Sequence, residues 1–403
     1  MPLSGIRVFD ITRVLAGPSA TQILGDLGAD VIKIERPGSG DDSRGLGPPY
    51  LKDASGAETG ESAYFMSANR NKRSLTLNLT SSEGQELARS LIAHCDVVIE
   101  NFRTGNLSQY GLAYEQIKDR FPRLIYCSVT GFGHTGPYAK RAGYDYLVQG
   151  MGGIMSVTGE PGGPPQKVGV GIADLMTGMY AAVAILAALR HRDAAGHGQY
   201  IDMALLDTQV AWLSYVGQNY LTSGQVPRRF GNQHPNIMPY QVFGAADGLL
   251  ILAIGNDRQF ERFCAFCKRS ELAADPRYAT NAQRLRNRDA LTPVIADLIA
   301  AHPIRHWVEG LTKVNVPCSP INSIDQVFAD PQVKARNMEI AMPHPAAGDE
   351  VVRLIGSPIK MSESPVSYRR PPPTLVQHSA EVLHELLGLK PDQIDGLRRR
   401  GVI

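Results

Sequence analysis

The chain has 403 residues, 43% hydrophobic and 20% charged, the composition of an ordinary soluble globular protein with room for two domains. Its 41 basic and 39 acidic side chains leave a formal charge of +2, which excludes a broad electrostatic footprint for nucleic acid or an anionic membrane, so any basic site must be local. Five cysteines (Cys95, Cys127, Cys264, Cys267, Cys318) are a sparse and odd set for a disulfide framework, and they point to a reducing compartment, cytoplasmic or, in a eukaryote, mitochondrial.

The N-terminus reads at once as a strand and lacks signal-peptide architecture, so secretion is not expected. Apolar runs rich in β-branched residues recur at 6–11, 30–34, 97–99 and 123–129, with helical patterns between most of them. This alternation predicts an α/β fold with a parallel sheet covered by helices. A first helix is expected after Pro18, with Ala20, Ile23, Leu24 and Leu27 on its buried face and Gly28 ending it. Another opens at Thr80-Ser81-Ser82-Glu83, which has capping-box spacing, and buries Leu87, Leu91 and Ile92.

The polar, glycine-rich segments 12–18, 35–43, 100–105 and 130–137 each follow a strand, so an open parallel sheet would gather them at one edge, where ligands bind. The G-x-G-x-x-G fingerprint is missing after the first strand and no Walker A sequence occurs, which argues against ordinary dinucleotide and ATP binding; H-E-x-x-H and G-x-S-x-G are also missing. The apolar stretch 175–189 is shorter than the roughly 18–20 residues of a membrane span and reads as a buried helix.

At 222–229 the chain becomes polar and aperiodic, a linker. Large-domain residues 1–221 therefore give way to a linker and smaller α/β domain at 222–325, with a strand at 249–254 and helices near 260–266, 291–299 and 306–311. Cys264-x-x-Cys267 has the spacing of a redox or zinc site, but no second pair exists, and Phe260, Phe263 and Phe266 beside it indicate a packed helix face. Residues 326–403 return to the large domain and end in a helix near Ser379–Leu387 that packs back on it.

The segment Val168-Gly169-Val170-Gly171-Ile172-Ala173-Asp174 sets one carboxylate at the mouth of an almost wholly apolar helix, where it can cap the helix and stay ionised. Around it the chain resembles the class III CoA-transferases, the family of formyl-CoA transferase and the carnitine CoA-transferases. The resemblance rests on Val14-Leu15-Ala16-Gly17-Pro18, on Gly25-Asp26-Leu27-Gly28-Ala29-Asp30 leading into Val31-Ile32-Lys33-Ile34-Glu35-Arg36-Pro37, and on Asn69-Arg70-Asn71-Lys72-Arg73-Ser74. It continues through Glu100-Asn101-Phe102, Ser128-Val129-Thr130-Gly131-Phe132-Gly133, Arg141-Ala142-Gly143-Tyr144-Asp145 and Asp174. Gly231-Asn232-Gln233-His234-Pro235 stands where formyl-CoA transferase has a glycine run, and this likens the chain to the branch that moves CoA between dicarboxylates such as succinate, glutarate, hydroxymethylglutarate or itaconate.

The resemblance implies an interlocked ring homodimer with no permanently bound cofactor and no metal, taking coenzyme A and acyl-CoA as substrates. It makes Asp174 the nucleophile that forms a mixed anhydride and then an aspartyl-CoA thioester. It assigns CoA to Leu15, Ala16, Arg36, Leu77, Asn101, Phe102, Arg141 and Tyr144, and because the family arginine after the Asn-Phe pair aligns with Gln109, Arg103 or Lys140 is expected to supply that charge. Arg70, Lys72 and Arg73 read as a basic patch without acidic neighbours, with Arg70 and Arg73 candidates for the CoA 3′-phosphate or the distal carboxylate; Asp145, Gly231 and His234 are further acyl-pocket candidates. An α-methylacyl-CoA racemase would place a His after the glycine matching Gly143, where this chain has Tyr144, a poor base at neutral pH. A non-catalytic CoA-binding protein would have no need of Asp174 beside intact loop motifs.

Overall fold

A computed structural model describes residues 1–348 and 351–403. The chain divides into two units. The first comprises Met1–Ile154, Val168–Gly224 and Pro331–Ile403, and the second Met155–Lys167 and Gln225–Asp330.

The first unit is built on six parallel strands: β1 (Arg7–Asp10), β2 (Asp30–Glu35), β3 (Lys72–Thr76), β4 (Val97–Glu100), β5 (Ile125–Thr130) and β6 (Tyr200–Ala204). They lie in the order β3-β2-β1-β4-β5-β6, a doubly wound arrangement whose strand order reverses between β1 and β4. Alternate residues feed two cores. Val8, Val31, Val97, Ile99, Ile125 and Cys127 face one side, where helices α1 (Ala16–Asp26) and α4 (Ile172–Ala195) pack. Phe9, Ile32, Leu75, Val98 and Tyr126 face the other, against α2 (Ser82–Ile92) and α5 (Ser379–Leu387). Burial on both faces is why these strands read as unbroken apolar runs.

β3 went unread because Lys72, Arg73 and Ser74 look like surface residues, yet all five residues of this strand are buried. The expected patch without acidic neighbours is corrected here. Arg70 pairs with Asp26, Lys72 with Asp10, and Arg73 with Asp30, Glu381 and Glu385. The carboxylates come from distant parts of the chain, so no local window reveals them. β6 was also missed, its Tyr200 and Ile201 lying close behind the long helix.

α4 runs 24 residues, so the length argument from the apolar stretch is corrected: by length and composition this helix could cross a membrane. Half of its apolar window is buried, against α1, and it continues past the apolar run through Arg190 and Arg192. Gly178 makes the contact possible, since a Cβ there would sit 2.6 Å from the carbonyl oxygen of Ala16. α1 begins at Ala16, before Pro18, and α2 is capped by Ser81, whose hydroxyl accepts from Gly84 N at 3.0 Å. Glu83 closes no capping box and pairs with Arg400. Two antiparallel hairpins, Tyr50–Lys52 with Glu58–Ser62 and Glu339–Pro343 with Val351–Ile355, complete this unit's strands among the described residues.

The second unit carries three antiparallel strands, Tyr240–Ala245, Gly248–Ala253 and Cys318–Pro320, under helices that include Asp257–Phe266, Arg288–Ala300 and Ile304–Lys313. Phe260, Phe263 and Cys264 pack into its core with Trp307, and burial pushes the Cys264 thiol up to about 12. All five cysteines are free thiols.

Because Arg73 is buried among three carboxylates, Arg73→Met is expected to lower unfolding free energy by about 2–4 kcal/mol, read from the urea midpoint, while KM for substrates stays within twofold.

Candidate active site

Two adjoining clefts open at the carboxyl ends of the strands, over the β1–β4 switch point. The first, about 290 Å³, is lined by residues from the loops after β1, β4 and β5, by Arg141, Gly143 and Tyr144, and by Asp174. The second, about 470 Å³, is lined by Ile34, Arg36, Leu77, Leu79 and Tyr110 among others. Arg13 and Phe102 border both.

The loops are held by hydrogen bonds across the switch point. Asn101 Oδ1 accepts from Arg13 N at 2.9 Å and Asn101 Nδ2 donates to Arg13 O at 2.7 Å, so the loops after β1 and β4 are stitched by one amide. Val14 sits at φ +70°, a strained position for a β-branched residue, and its N–H donates to Asp41 Oδ1 at 3.1 Å. Gly131 and Gly143 cross backbone to backbone: a Cβ on either would lie 2.5 Å from the other's Cα. Only glycine permits that crossing, which brings the segment carrying Arg141 and Tyr144 against the loop after β5.

Asp174 does not cap its own helix. The N-cap residue is Gly171, which offers no side chain, and the capping acceptor is Asp145, the first residue of α3 (Asp145–Met151). Its Oδ1 accepts from Ala173 N at 2.8 Å and from Asp174 N at 3.3 Å, while Oδ2 accepts from Gln149 Nε2 at 2.7 Å. The donors at the head of α4 are therefore committed to Asp145. Among the described residues the Asp174 carboxylate accepts no hydrogen bond, and burial, with the Asp145 charge adding to it, pushes it up to about 7. The expectation that Asp174 caps its helix and is thereby kept ionised at neutral pH is thus corrected. A second carboxylate took the stabilising position.

The first cleft also gathers Leu15, Ala16, Asn101, Phe102, Arg103, Arg141 and Tyr144 with Asp174. Arg36 and Leu77 line the second. Lys140 lines neither, which leaves Arg103 and Arg141, with Arg13, as the cations that share the first cleft with Asp174. Arg70 and Arg73 are absent from both linings, being spent on the ion pairs above. Gly231 and His234 belong to the second unit, where His234 Nδ1 accepts from Asn236 N at 3.1 Å and burial, with Arg288, lowers the ring's pKa.

Sequence reasoning missed Arg13 and Asp42. The Arg13 guanidinium lies 4.7 Å over the Phe102 ring and pairs with Asp42 at 3.3 Å, and Arg36 pairs with the same carboxylate. Asp42 thus holds two cations at the border of the clefts, where an incoming phosphate can take its place. Arg13 lies in the loop at the carboxyl end of β1, and that position was the available signal.

A desolvated carboxylate lining a cleft that also carries Arg13, Arg103 and Arg141, beside a second cleft with both cationic and apolar walls, is the layout of an acyl-transfer enzyme that uses a side-chain acid as nucleophile. The profile of CoA-transferase family III matches residues 3–379, and the chain belongs to that family. Succinate–glutarate CoA-transferase of Agrobacterium fabrum is 50% identical over 385 residues, 96% of each chain. Succinyl-CoA:glutarate CoA-transferase of Homo sapiens is 41% identical over 402 residues, 100% of this chain and 90% of that protein. A crystal structure of a CAIB/BAIF family protein from Brucella suis superposes with a TM-score of 0.84 at 48% identity, covering 96% of this chain and 99% of that one.

A carboxyl group with raised pKa is costly to ionise inside the fold, and the cost appears as pH rises from about 4, where the unfolded chain already ionises, to about 7. Asp174→Asn removes it. The variant's melting temperature is expected to exceed that of the unaltered protein at pH 8, by on the order of 2 °C, with the difference vanishing near pH 4.

Proposed function

We propose that this CoA-transferase moves CoA from succinyl-CoA to a small dicarboxylic acid, glutarate or a near relative, with Asp174 carrying the acyl group and then CoA. The observation that carries the mechanism is the placement of Asp174, buried enough to lose its solvation and yet lining the cleft. The choice of acids is supported by relatives matched over nearly their full length, the two glutarate enzymes and a succinyl-CoA:mesaconate CoA-transferase of Haloarcula hispanica that is 41% identical over 387 residues.

In this reading the adenine enters the larger cleft between Ile34, Leu77, Leu79 and Tyr110, the phosphates displace Asp42 from Arg13 and Arg36, and the pantetheine arm follows the smaller cleft to Asp174. Ionised Asp174 attacks the thioester carbonyl and expels CoA as thiolate, leaving a mixed anhydride. The thiolate then attacks the Asp174 carbonyl, releasing the donor acid and forming an aspartyl-CoA thioester. The acceptor carboxylate reverses both steps. A carboxylate suits this work because an anhydride keeps the acyl-transfer potential that a serine ester would dissipate. Weak solvation of Asp174 raises its nucleophilicity for the same reason that it raises its pKa.

The unit also exposes an apolar surface that a monomer has no use for. Tyr146, Leu147 and Met151 on α3 and Met179 and Val183 on α4 are all more than 40% exposed. This supports a homodimer as the working form. Light scattering at micromolar concentration is expected to give twice the chain mass.

With succinyl-CoA and glutarate, exchange is expected to follow ping-pong kinetics, with kcat/KM rising through about pH 7 as Asp174 ionises. Asp174→Ala is expected to lower turnover by at least about 1000-fold, and hydroxylamine should convert the acylated side chain to a hydroxamate, found by mass spectrometry on the peptide containing residue 174, in the unaltered enzyme only. An active Ala variant would defeat the mechanism; activity with other acids but not these would defeat only the substrate assignment.

A further inference from the structure

Most buried carboxylates beneath the clefts are met by a cation: Asp10 by Lys72, Asp41 by Lys33, Glu35 by Arg44. Besides Asp174, Glu100 is an exception. It ends β4, it is 4% exposed, and the groups acting on it among the described residues are two hydrogen-bond donors and no Lys or Arg. Oε2 accepts from Phe102 N at 2.8 Å and Oε1 accepts from the Ser128 hydroxyl. Ser128 Oγ in turn lies 2.7 Å from His134 Nε2, and His134 N donates to Asp202 Oδ2 at 2.9 Å. One side chain thereby touches the backbone of the loop after β4 and, through a single hydroxyl, the loop after β5. Phe102 borders both clefts, and Asn101 beside it fixes Arg13.

We propose that Glu100, in its ionised form, is the positioning residue of the acyl-CoA cleft, fixing Asn101, Phe102 and Arg103 through the Phe102 N–H and joining that loop through Ser128 and His134 to the turn after β5. The inference rests on the acyl-CoA reading of the clefts.

The hydroxyl has one proton. When Glu100 is ionised, Ser128 donates to it and its oxygen is left to accept, from His134 Nε2–H or from the Tyr200 hydroxyl that also bonds it; when Glu100 is protonated, the Phe102 N–H loses its charged acceptor and the chain of bonds can run the other way. Burial raises Glu100 to about 7, against the pull of Ser128 and Phe102, so this change falls in the neutral range. The titratable groups facing it are Tyr126, Cys127 and Tyr200, with His134 and Asp202 beyond Ser128. On the other side, Asp10 of β1 is already held by Lys72, Thr12 and Thr21. Tyr126, Cys127 and Tyr200 remain neutral at this pH because burial raises all three. None of them supplies a compensating charge.

The test is calorimetric titration of coenzyme A at pH 6 and pH 8 into Asp174→Asn, which removes the nucleophile's own titration, with and without Glu100→Gln. With Glu100 present, Kd is expected to be about fivefold weaker at pH 6 than at pH 8. The Glu100→Gln chain, an isosteric mimic of the protonated state, is expected to bind at the weaker level at both pH values. Protonation of the coenzyme's own phosphate affects both chains alike, so the comparison between them carries the result. Equal affinity and equal pH dependence in the two chains would overturn the proposal while leaving the acyl-CoA reading intact; no binding with Glu100 present would overturn both. If Glu100→Gln does not fold, Ser128→Ala serves, since losing that donor should move the pH of weakened binding upward, and an unmoved midpoint would overturn the proposal.

Discussion

The site depends on a buried ionic contact at the carboxyl ends of β1 and β2. Lys33, wholly inside the protein, reaches Asp41 Oδ2 at 2.7 Å and donates to Thr12 O at 3.0 Å. Asp41 in turn accepts from Val14 N and from Ser43. A single ammonium therefore anchors the loop that carries Arg13, Leu15 and Ala16 and the loop that carries Arg36 and Asp42. Desolvation works against its charge, but Asp41, Asp10 and Glu35 outweigh that and hold Lys33 above its ordinary pKa, while the same Lys33 holds Asp41 well below the carboxylate range. Neighbouring Lys72 is less favoured: burial and the Lys33 charge lower it to about 8 despite Asp10. Removing one partner of such a set strands the other in a dry interior, so the set stands or falls as a unit.

A second constraint runs against stability. Two carboxylates share the head of α4, and only one, Asp145, receives the N–H groups there. The other is left desolvated beside a like charge. A fold optimised for stability alone would place a neutral residue at 174. An acid at that place is a local violation of the kind expected of the reactive role proposed for it, and the ordered surroundings, from Gln149 to the Gly131–Gly143 crossing, keep that violation in place.

Much of this was legible in the residues. Unbroken apolar runs rich in β-branched residues identified β1, β2, β4 and β5, and the polar segments behind them identified the edge where the clefts open. The helix expected near Ser379–Leu387 is there, but it is not the last, since Pro391–Arg399 forms another behind it. What failed was any judgement about charge. Arg70 and Arg73 read as ligands for an anion because their carboxylates lie more than forty positions away, at Asp26, Asp30, Glu381 and Glu385. Arg13, a cation at the border of both clefts, drew no notice because a lone arginine in a loop is ordinarily solvated.

The sequence by itself determined the α/β class, the family, the run of strand-end loops and the carboxylate proposed as nucleophile, because each is written in local periodicity or in contiguous motifs. The tertiary structure alone decided which charges are free to act. Ionisation and pairing depend on distance and dielectric, and both are set when remote segments meet: Asp145 over Asp174, Glu100 under Ser128, Asp26 against Arg70.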